Sequence, residues 1–284
     1  MVAAPVLPDA PGIRLTAAEL LALRDRAAGT ARHRPATRRP GGSPARQAGA
    51  GMDLREIRAY VPGDDPRRLD PAATARTGQP HIRSLHEDRD APPLLIAVFR
   101  PPMLWGTGAA LRSVRGARWL AQAGWRAVLR SGSVAVLAVS GDGVAELPSA
   151  VGEAQMAAAA RLLAHAHDRA LTGAAAAPAQ DLTQALTHAA RLAPAGGRVL
   201  LATAPGAWQA AEPALARLAR RRIVTVALIL DEVERRAPRP VLTVTDGRHS
   251  RHVRMAVPDL SAEIARLHAL GARPVEVGPD GAAP

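Results

Sequence analysis

Continuous apolar segments alternate along this chain with longer segments in which apolar residues recur at helical spacing. Uninterrupted apolar runs of strand length are typical of strands that are buried on both faces of a sheet. Such runs predict strands at residues 94–99, 134–139, 198–203 and 223–230. Amphipathic spacing predicts helices at residues 108–131, 151–169, 181–193, 208–221 and 259–270. Strand alternating with helix predicts an α/β fold with a doubly wound, mainly parallel, Rossmann-like sheet.

A hairpin and two late strands complete the predicted sheet elements. Gly141-Asp142-Gly143 predicts a tight turn, because two glycines that flank an aspartate permit positive φ. The turn would join the strand at 134–139 to a return strand at 144–147. Residues 241–245 and 252–257 have the composition of strands and precede the final helix.

The residues before position 91 differ in composition from the sheet that follows. Thr16 and Glu19 have the spacing of a capping box, so a helix is predicted over residues 17–28. Residues 27–50 contain no acidic residue and several arginines, prolines and glycines, which predicts a flexible basic loop. Residues 51–90 read as turns and short extended segments. We therefore expect three parts: an N-terminal helix and loop at 1–50, a small irregular β-rich segment at 51–90, and the α/β domain at 91–284.

Cysteine and lysine are both absent from the sequence. The absence of cysteine excludes disulfides, thiolate zinc sites and cysteine nucleophiles. Neither a Gly-x-Ser-x-Gly motif nor a phosphate-binding loop ending in Lys-Ser or Lys-Thr occurs. His165 and His167 lie two residues apart on a predicted helix, a spacing that suits no metal pair, so solvated positions are expected. We therefore expect a protein that is not an enzyme and that carries no cofactor.

The formal net charge of +12 has the sign expected of a nucleic-acid-binding protein. All of the cationic side chains are arginines spread along the chain, and alanine is abundant, so GC-rich codons explain much of this bias. Nucleic-acid binding through the Arg-rich segment from Arg24 to Arg46 remains the alternative function. Only one Tyr, one Phe and four Trp are present for base stacking, which makes nucleic acid the less favoured partner.

The longest apolar run, at residues 223–230, is much shorter than the roughly 20 apolar residues that a bilayer span needs. The segment from Met1 to Gly12 lacks the basic start and apolar core of a signal peptide. The sequence therefore predicts no transmembrane segment. We expect a cytoplasmic location, with any membrane association made through partners.

The block at residues 51–90 and the strand after it carry a recognisable pattern. Beyond the strand, the pattern continues through Met103, Gly106-Thr107 and Ser113-Val114. In these features the chain resembles the bacterial domain-of-unknown-function-58 family, over roughly residues 16–145. That resemblance implies that the α/β domain is similar to a von Willebrand factor A domain. The matching block residues are Arg58, Tyr60, Pro62, Gly63, Asp64, Asp65, Arg67, Asp70, Thr74, Ala75, Arg76, Thr77, Gly78, Glu87 and Arg89.

Two interpretations of this block remain open. The run Pro62-Gly63-Asp64-Asp65-Pro66 is suited to a tight turn. In the first interpretation, Asp64 and Asp65 join a network that seats the block on the α/β core and whose other members are Arg58, Arg67, Asp70 and Arg76. In the second, Asp64, Asp65 and Arg76 form a recognition surface.

The resemblance also implies where a metal would be expected. In von Willebrand A domains the first strand ends in Asp-x-Ser-x-Ser, whose oxygens bind magnesium with a threonine and an aspartate from later loops. Aligned on Met103, these five ligand positions fall at or near Val98, Arg100, Pro102, Gln180 with Asp181, and Ala204. The residues at the first three positions cannot ligate magnesium. The resemblance therefore implies a degenerate metal-ion-dependent adhesion site that binds no metal.

This loss of ligands has two interpretations. In the first, the site has decayed and the strand end only packs against its neighbours. In the second, the guanidinium of Arg100 occupies the place of the ion and receives a partner's carboxylate as a bidentate pair.

Partners and function are implied by the same resemblance. Similar proteins are encoded with MoxR-type AAA+ ATPases and with other von Willebrand A proteins. We therefore expect a non-catalytic, chaperone-like adaptor or scaffold that works in complex assembly or in cofactor or metal insertion. Docking is expected at the loops beyond the strand ends, where α/β folds bind their ligands.

Overall fold

A computed structural model gives the fold of the 284-residue chain. It describes residues 11–31, 54–60, 69–85, 92–130, 132–173, 180–235, 241–245, 250–253 and 257–278. Residues 32–50 of the predicted basic loop and the predicted turn at Pro62–Pro66 lie outside these residues. The chain divides into two compact units, one made of residues 1–33 and 92–284 and one made of residues 34–91. The helices before residue 32 therefore belong to the same unit as the large sheet.

Helices and strands alternate along most of the chain. In chain order the helices are α1 (Ala17–Ala22), α2 (Arg24–Ala31), α3 (Pro71–Thr77), α4 (Arg112–Leu129), α5 (Glu153–Thr172), α6 (Gln180–Leu192), α7 (Glu212–Ala219), α8 (Glu232–Arg235) and α9 (Ser261–Ala269). The strands are β1 (Leu54–Ala59), β2 (His81–Leu85), β3 (Leu94–Val98), β4 (Ser133–Ser140), β5 (Gly143–Val151), β6 (Arg198–Thr203), β7 (Ile223–Ile229), β8 (Leu242–Thr245), β9 (Ser250–Val253) and β10 (Arg273–Val277).

The large unit is built on a six-stranded sheet with the order β10-β7-β6-β3-β4-β5. Neighbouring strands are parallel except for β5, which pairs antiparallel with β4 through the predicted Gly141–Gly143 turn. The chain moves from β3 outward to β4 through α4, and from β6 in the opposite direction to β7 through α7. Right-handed crossovers therefore place α4 and α7 on opposite faces. The predicted doubly wound α/β fold is confirmed.

Burial explains why the central strands could be recognised. Every residue of Leu94–Val98 is buried, as β3 lies between β4 and β6 with helices on both faces.

The apolar faces of α4 and α6 cover the sheet, and α4 approaches it closely at a glycine. A Cβ on Gly116 would lie 3.2 Å from Ala202 Cβ and 3.5 Å from Ile229 Cγ1. Small residues therefore let this helix approach β6 and β7 closely.

Several predicted boundaries were wrong. Helix α4 begins at Arg112 rather than at residue 108, because residues 101–110 form turns. The predicted helix at 208–221 is a 3-10 turn, Gln209–Ala211, followed by α7, which has a proline in its first turn. Strands β8 and β9 pair with each other in a separate hairpin outside the large sheet. Edge strand β10 and helix α8 were not predicted.

The N-terminal helices pack against α4 and α5. Thr16 caps α1 as predicted, since its hydroxyl accepts the Glu19 N–H at 3.2 Å. The segment predicted as a flexible loop from Ala27 is helical through Ala31, and Ala27 itself is buried. Trp125 of α4 donates its indole N–H to the carbonyl of Leu20 at 3.0 Å. These contacts hold the N-terminal helices on one face of the sheet.

At Gly12 the backbone of the N-terminal segment lies directly against the turn that precedes α4. Its φ is +87°, its carbonyl accepts the Leu111 N–H at 2.9 Å, and a Cβ there would lie 2.0 Å from Ala109 O. Gly12→Ala is expected to lower the free energy of unfolding by about 2 kcal/mol, because overpacking adds to backbone strain. Gly152→Ala is the matched control, with φ of +86° and open space around its Cβ. It should cost about 1 kcal/mol. Equal losses in urea unfolding would contradict the steric argument.

The smaller unit contains β1, α3 and β2. β1 and β2 pair antiparallel, with Arg58 opposite Ile82. Helix α3 lies between them in sequence and was not predicted. Its ends follow standard capping chemistry: Asp70 Oδ1 accepts the Ala73 N–H at 2.8 Å, Pro71 occupies the first turn, and Gly78 ends the helix at φ +72°. The β-rich segment predicted at 51–90 thus also contains a capped helix.

Candidate functional site

The candidate site lies at the carboxyl ends of β3, β6 and β7. β3 and β6 are adjacent, and the chain leaves them in opposite directions. Such a topological switch point is where open α/β sheets bind ligands, because diverging loops leave a crevice between them. Val98 ends β3 and Ala204 directly follows β6, so the structure places these two predicted positions at neighbouring strand ends.

The predicted positions after β3 form a tight turn that leads into α4. The carbonyl of Arg100 accepts the N–H groups of Met103 and Leu104 at 2.7 and 3.0 Å. The side chain of Arg100 is half-buried, and Pro102 is exposed. Val98 is buried, so its side chain belongs to the core rather than to a ligand shell.

The remaining predicted positions are less informative. Ala204 is buried at the end of β6 and has no group that could bind a ligand. Gln180 and Asp181 begin α6, which starts at the carboxyl edge because it ends before the amino end of β6. Their backbone position agrees with a loop facing the site, and their side chains lie outside the described part of the chain.

A buried ion pair that the sequence did not predict occupies this edge. Asp231 follows β7 and is 1% exposed, and Arg115 on α4 is 4% exposed. The Arg115 guanidinium donates to Asp231 Oδ2 at 3.4 Å and to the carbonyl of Leu230. The N–H of Thr107 donates to Asp231 Oδ2 at 3.0 Å, and the Thr107 hydroxyl donates to Oδ1. The carboxylate therefore ties the loop after β3, helix α4 and the end of β7 together.

A second arginine extends this cluster. Arg112 pairs with Glu234 of α8 and donates to the carbonyl of Pro102 at 3.0 Å. Its guanidinium also lies 4.6 Å from the centroid of the Trp105 ring, which is a cation–π contact. Glu234 in turn accepts the N–H of Asp231 at 2.8 Å. We call Arg112, Arg115, Asp231 and Glu234 the buried charge cluster.

The cluster is electrostatically balanced, with two guanidinium groups facing two carboxylates. Burial lowers the pKa of Arg115 from its ordinary value, and the neighbouring Arg112 acts in the same direction, whereas Asp231 raises it. Within the described ranges, no three His, Cys, Asp or Glu side chains form a group that could hold a metal ion. The two carboxylates of the cluster instead accept hydrogen bonds from arginine, threonine and backbone donors.

A serine and a histidine lie close together beneath the same edge. Ser113 Oγ is 2.9 Å from His167 Nε2, and the Leu15 N–H donates to His167 Nδ1 at 3.4 Å. His167 is 0% exposed, and burial lowers its pKa from 6.5 to about 4. Neutral His167 therefore accepts at Nδ1 and donates from Nε2 to the serine. In that tautomer Nε2 has no lone pair to take the serine proton, so the pair is a packing contact rather than a nucleophile and its base.

The prediction that both helix histidines are solvated was therefore wrong for His167. His165 is exposed, as expected, while His167 faces the core and meets Phe99 edge-on, with 5.2 Å between ring centroids. The spacing rule that assigned them to different faces is correct. The error was to treat both faces as solvent-facing, although α1 covers one side of α5.

The buried charge cluster was not predicted from the sequence, because its members lie on elements that meet only in the folded chain. Asp231 directly follows the longest apolar run, a position at a strand's carboxyl end where carboxylates often serve a site. Arg112 and Arg115 stand three residues apart on the first turn of α4, so they share a face. These signals were present in the sequence, yet nothing local shows that the two sets meet.

In the smaller unit, several of the described block residues make hydrogen bonds that shape the unit itself. Asp70 is buried and caps α3, and Arg76 is exposed on its last turn. The Thr77 hydroxyl donates to the carbonyl of Ala73 at 3.0 Å, and the Tyr60 N–H donates to the carbonyl of Pro80 at 2.9 Å. Arg58 lies on β1, with its side chain outside the described part. The block positions that fall outside the described residues are Pro62, Gly63, Asp64, Asp65, Arg67, Glu87 and Arg89.

Within the described residues, the chain has no helix that combines the length and the apolarity needed to span a bilayer. The Arg-rich segment from Arg24 to Arg46, which was the alternative nucleic-acid site, is described only through residue 31. There it forms α2, whose Arg24 pairs with Glu153 of α5.

Comparison with known proteins identifies relatives by sequence. The family model "Protein of unknown function DUF58" matches residues 56–264, which is more than half of the chain. A protein of Mycobacterium bovis and proteins of two Mycobacterium tuberculosis strains, each named as an uncharacterized protein, are 42% identical over 59 residues. That match covers 21% of this chain and 19% of each relative, so it spans about a fifth of their length.

Proposed function

The chain belongs to the DUF58 family, and from that premise we propose that it is a non-catalytic adaptor. In this proposal the carboxyl edge of the large sheet docks on a partner protein without a metal ion. The partners are a MoxR-type AAA+ ATPase and other von Willebrand A proteins, and the process is complex assembly or cofactor or metal insertion. The ATPase supplies energy and this chain supplies recognition.

The observation that carries the proposal is the buried charge cluster at the carboxyl edge of the large sheet. Asp231 is a hard oxygen ligand of the kind that magnesium prefers. Arg115 and Thr107 already occupy both of its oxygens, and it is almost fully buried. A guanidinium therefore supplies the positive charge at the edge where related domains would place a cation. This arrangement supports docking that needs no ion.

The strand order supports a von Willebrand A-like core. Counted within the large sheet alone, the strands follow the order 3-2-1-4-5-6, with the third strand antiparallel at the edge. The first and fourth strands of this count, β3 and β6, flank the switch point. The loops that leave them carry Arg100 and Ala204, the positions at which the resemblance implies a degenerate metal site.

The local chemistry also supports a non-catalytic role. The Ser113–His167 pair, which resembles a nucleophile and its base in spacing, is sealed from solvent, with both side chains at most 1% exposed. A substrate would need to reach the serine, and the histidine would need the opposite tautomer. Neither condition agrees with the observed packing.

The test is co-purification of the tagged chain with a MoxR-type AAA+ ATPase from the same organism, with magnesium and with EDTA. Arg100→Ala is expected to weaken binding about tenfold or more, since a charge-assisted hydrogen bond contributes about 1.5–3 kcal/mol. EDTA should leave the affinity of the nucleotide-free complex unchanged. Arg191→Ala is the matched control, because Arg191 is exposed on the last turn of α6 at the opposite edge. Loss of binding in EDTA, or equal loss in both variants, would contradict the proposal.

A further inference from the structure

The amino edge of the large sheet, which lies opposite the candidate site, collects cationic side chains. The crossover helices α4 and α7 run antiparallel to the strands and end at this edge, and arginine is favoured near a helix carboxyl end, where it faces the negative end of the helix dipole. Arg126 and Arg130 lie at the end of α4, Arg220 and Arg221 lie at and just after the end of α7, and Arg198 begins β6. We call these five arginines the basic edge.

The charge of the basic edge is not offset by carboxylates. Within the described residues, none of its five guanidinium groups has a carboxylate at ion-pair distance. Arg126 is half-buried, and the other four arginines are exposed. Burial lowers the pKa of Arg126, and the neighbouring Arg130 and Arg198 act in the same direction, so these cations repel one another. An anion bound here would relieve that repulsion.

A neighbouring arginine shows what a structural role at this edge requires. Arg222 is half-buried and donates to the carbonyls of Ala190 and Ala193 at 2.5 and 2.8 Å, which satisfies the carboxyl end of α6. In the described part of the chain, the guanidinium groups of the basic edge make no such hydrogen bond. Their backbone is nevertheless held in place, since the Gly196 N–H donates to the carbonyl of Arg221 at 2.7 Å. The fold therefore positions these cations without using their charge.

Two exposed aliphatic side chains lie along the same edge. Val151, at the end of the antiparallel strand β5, is 70% exposed and stands opposite Ser133, shortly after Arg130. Ile223, at the start of β7, is 41% exposed and stands opposite Arg198. Four strand spacings separate β5 from β7, so the two side chains are roughly 19 Å apart along the edge. Cationic and aliphatic groups therefore share one surface.

From this arrangement we propose that the amino edge of the large sheet docks on an anionic membrane surface. The guanidinium groups of the basic edge pair with lipid phosphates, while Val151 and Ile223 reach the boundary between headgroups and acyl chains. Nucleic acid is the less suited polyanion, because aliphatic side chains gain little beside phosphates. The aromatic rings of α4, Trp119 and Trp125, are also buried and so unable to stack on bases.

This inference goes beyond the proposed adaptor function and does not depend on it. The basic edge and the candidate site lie at opposite ends of the same strands. A partner protein at the carboxyl edge and a membrane at the amino edge can therefore be bound at the same time.

The test is flotation of the full chain with unilamellar vesicles. Vesicles of phosphatidylcholine that contain about one third phosphatidylglycerol, an anionic lipid, are compared with vesicles of phosphatidylcholine alone. The chain is expected to float with the anionic vesicles and not with the neutral ones. Binding should fall as the salt concentration rises, because salt screens the attraction between exposed charges.

Variants at the edge separate its two chemistries. Arg220→Gln with Arg221→Gln should weaken partitioning about thirtyfold, since each arginine near an anionic surface contributes about 1 kcal/mol. Val151→Ser should weaken it about fivefold, because less aliphatic surface leaves water. Arg161→Gln with Arg169→Gln is the control of equal charge change, with both sites on α5 away from this edge, and should leave partitioning nearly unchanged. Circular dichroism checks that each variant is folded.

The outcomes separate this inference from the proposed function. Equal flotation with neutral vesicles, no flotation with anionic ones, or equal losses in the edge and control double variants would each overturn it. Duplex DNA binding that the edge double variant loses and Val151→Ser keeps, in a chain that does not float, would overturn it and assign the basic edge to nucleic acid. Each of these results leaves co-purification with the ATPase standing, and failed co-purification leaves flotation standing.

Discussion

Arg115→Met is expected to destabilise the chain by about 3–5 kcal/mol, the usual cost of removing one partner from a buried ion pair. The methionine fills a similar volume, so the loss reports on charge rather than on a cavity. Asp231 would keep its hydrogen bonds from Thr107, yet its negative charge would stay buried without a counterion. The carbonyl of Leu230 would lose a donor as well. The measurement is the free energy of unfolding from urea titrations followed by circular dichroism.

An exposed pair in the same unit supplies the control. Arg169→Met removes the partner of Asp142, but these side chains are 58% and 48% exposed, so the loss should be about 0–1 kcal/mol. The double variant Arg115→Met with Asp231→Asn should recover part of the loss, because no unpaired charge remains buried. A double variant as unstable as the sum of its single variants would show that the pair is not coupled.

The central sheet could be predicted because its strands are buried on both faces. Residues 94–99, 134–139, 198–203 and 223–230 are continuous apolar runs, and all four became neighbouring strands of the sheet. Strand β10 was not predicted, because an edge strand needs only part of its residues to be apolar. In β10, Val277 is buried, whereas Arg273 and Glu276 are exposed. The strength of the sequence signal therefore followed the depth of each strand in the sheet.

Helix α3 is a different kind of omission. Asp70 is the N-cap, Pro71 lies in the first turn and Gly78 ends the helix, at the spacing expected for a short helix. The helix is seven residues long and buries only Ala73 fully, so it has almost no amphipathic pattern. Only the capping residues mark this helix in the sequence, so apolar periodicity does not predict it.

The site shows the limit of sequence reasoning more clearly. The family resemblance located the strand-end positions Val98, Arg100 and Ala204, since strand ends follow from the order of elements. It did not reveal that Arg115 meets Asp231, which lies 116 positions further along the chain. That pairing depends on α4 crossing β6 and β7, and no local pattern encodes the crossing. Long-range side-chain pairs require the three-dimensional fold.

Acidification is expected to weaken the fold through His167. Its pKa is about 4 in the folded chain, against an ordinary value of 6.5, because burial outweighs the opposing effect of Asp168. Between these values the unfolded chain binds the proton more readily, so stability falls as the pH drops from 6.5 toward 4. The full contribution is about 3 kcal/mol, of which about 2 kcal/mol should be lost between pH 7.5 and pH 5.

His167→Gln isolates this contribution, since glutamine still donates to the Ser113 hydroxyl but does not titrate. At pH 7.5 His167 is neutral, and the variant should be less stable than the parent because it loses packing against Phe99. That difference in stability should shrink by about 2 kcal/mol at pH 5. Only the parent loses stability there, because its histidine binds a proton more readily in the unfolded chain. His165→Gln changes an exposed histidine two residues away on the same helix, and its stability should follow the parent at both pH values. If the parent and His167→Gln lose stability in parallel on acidification, another group carries the pH dependence and His167 is not the proton-linked residue.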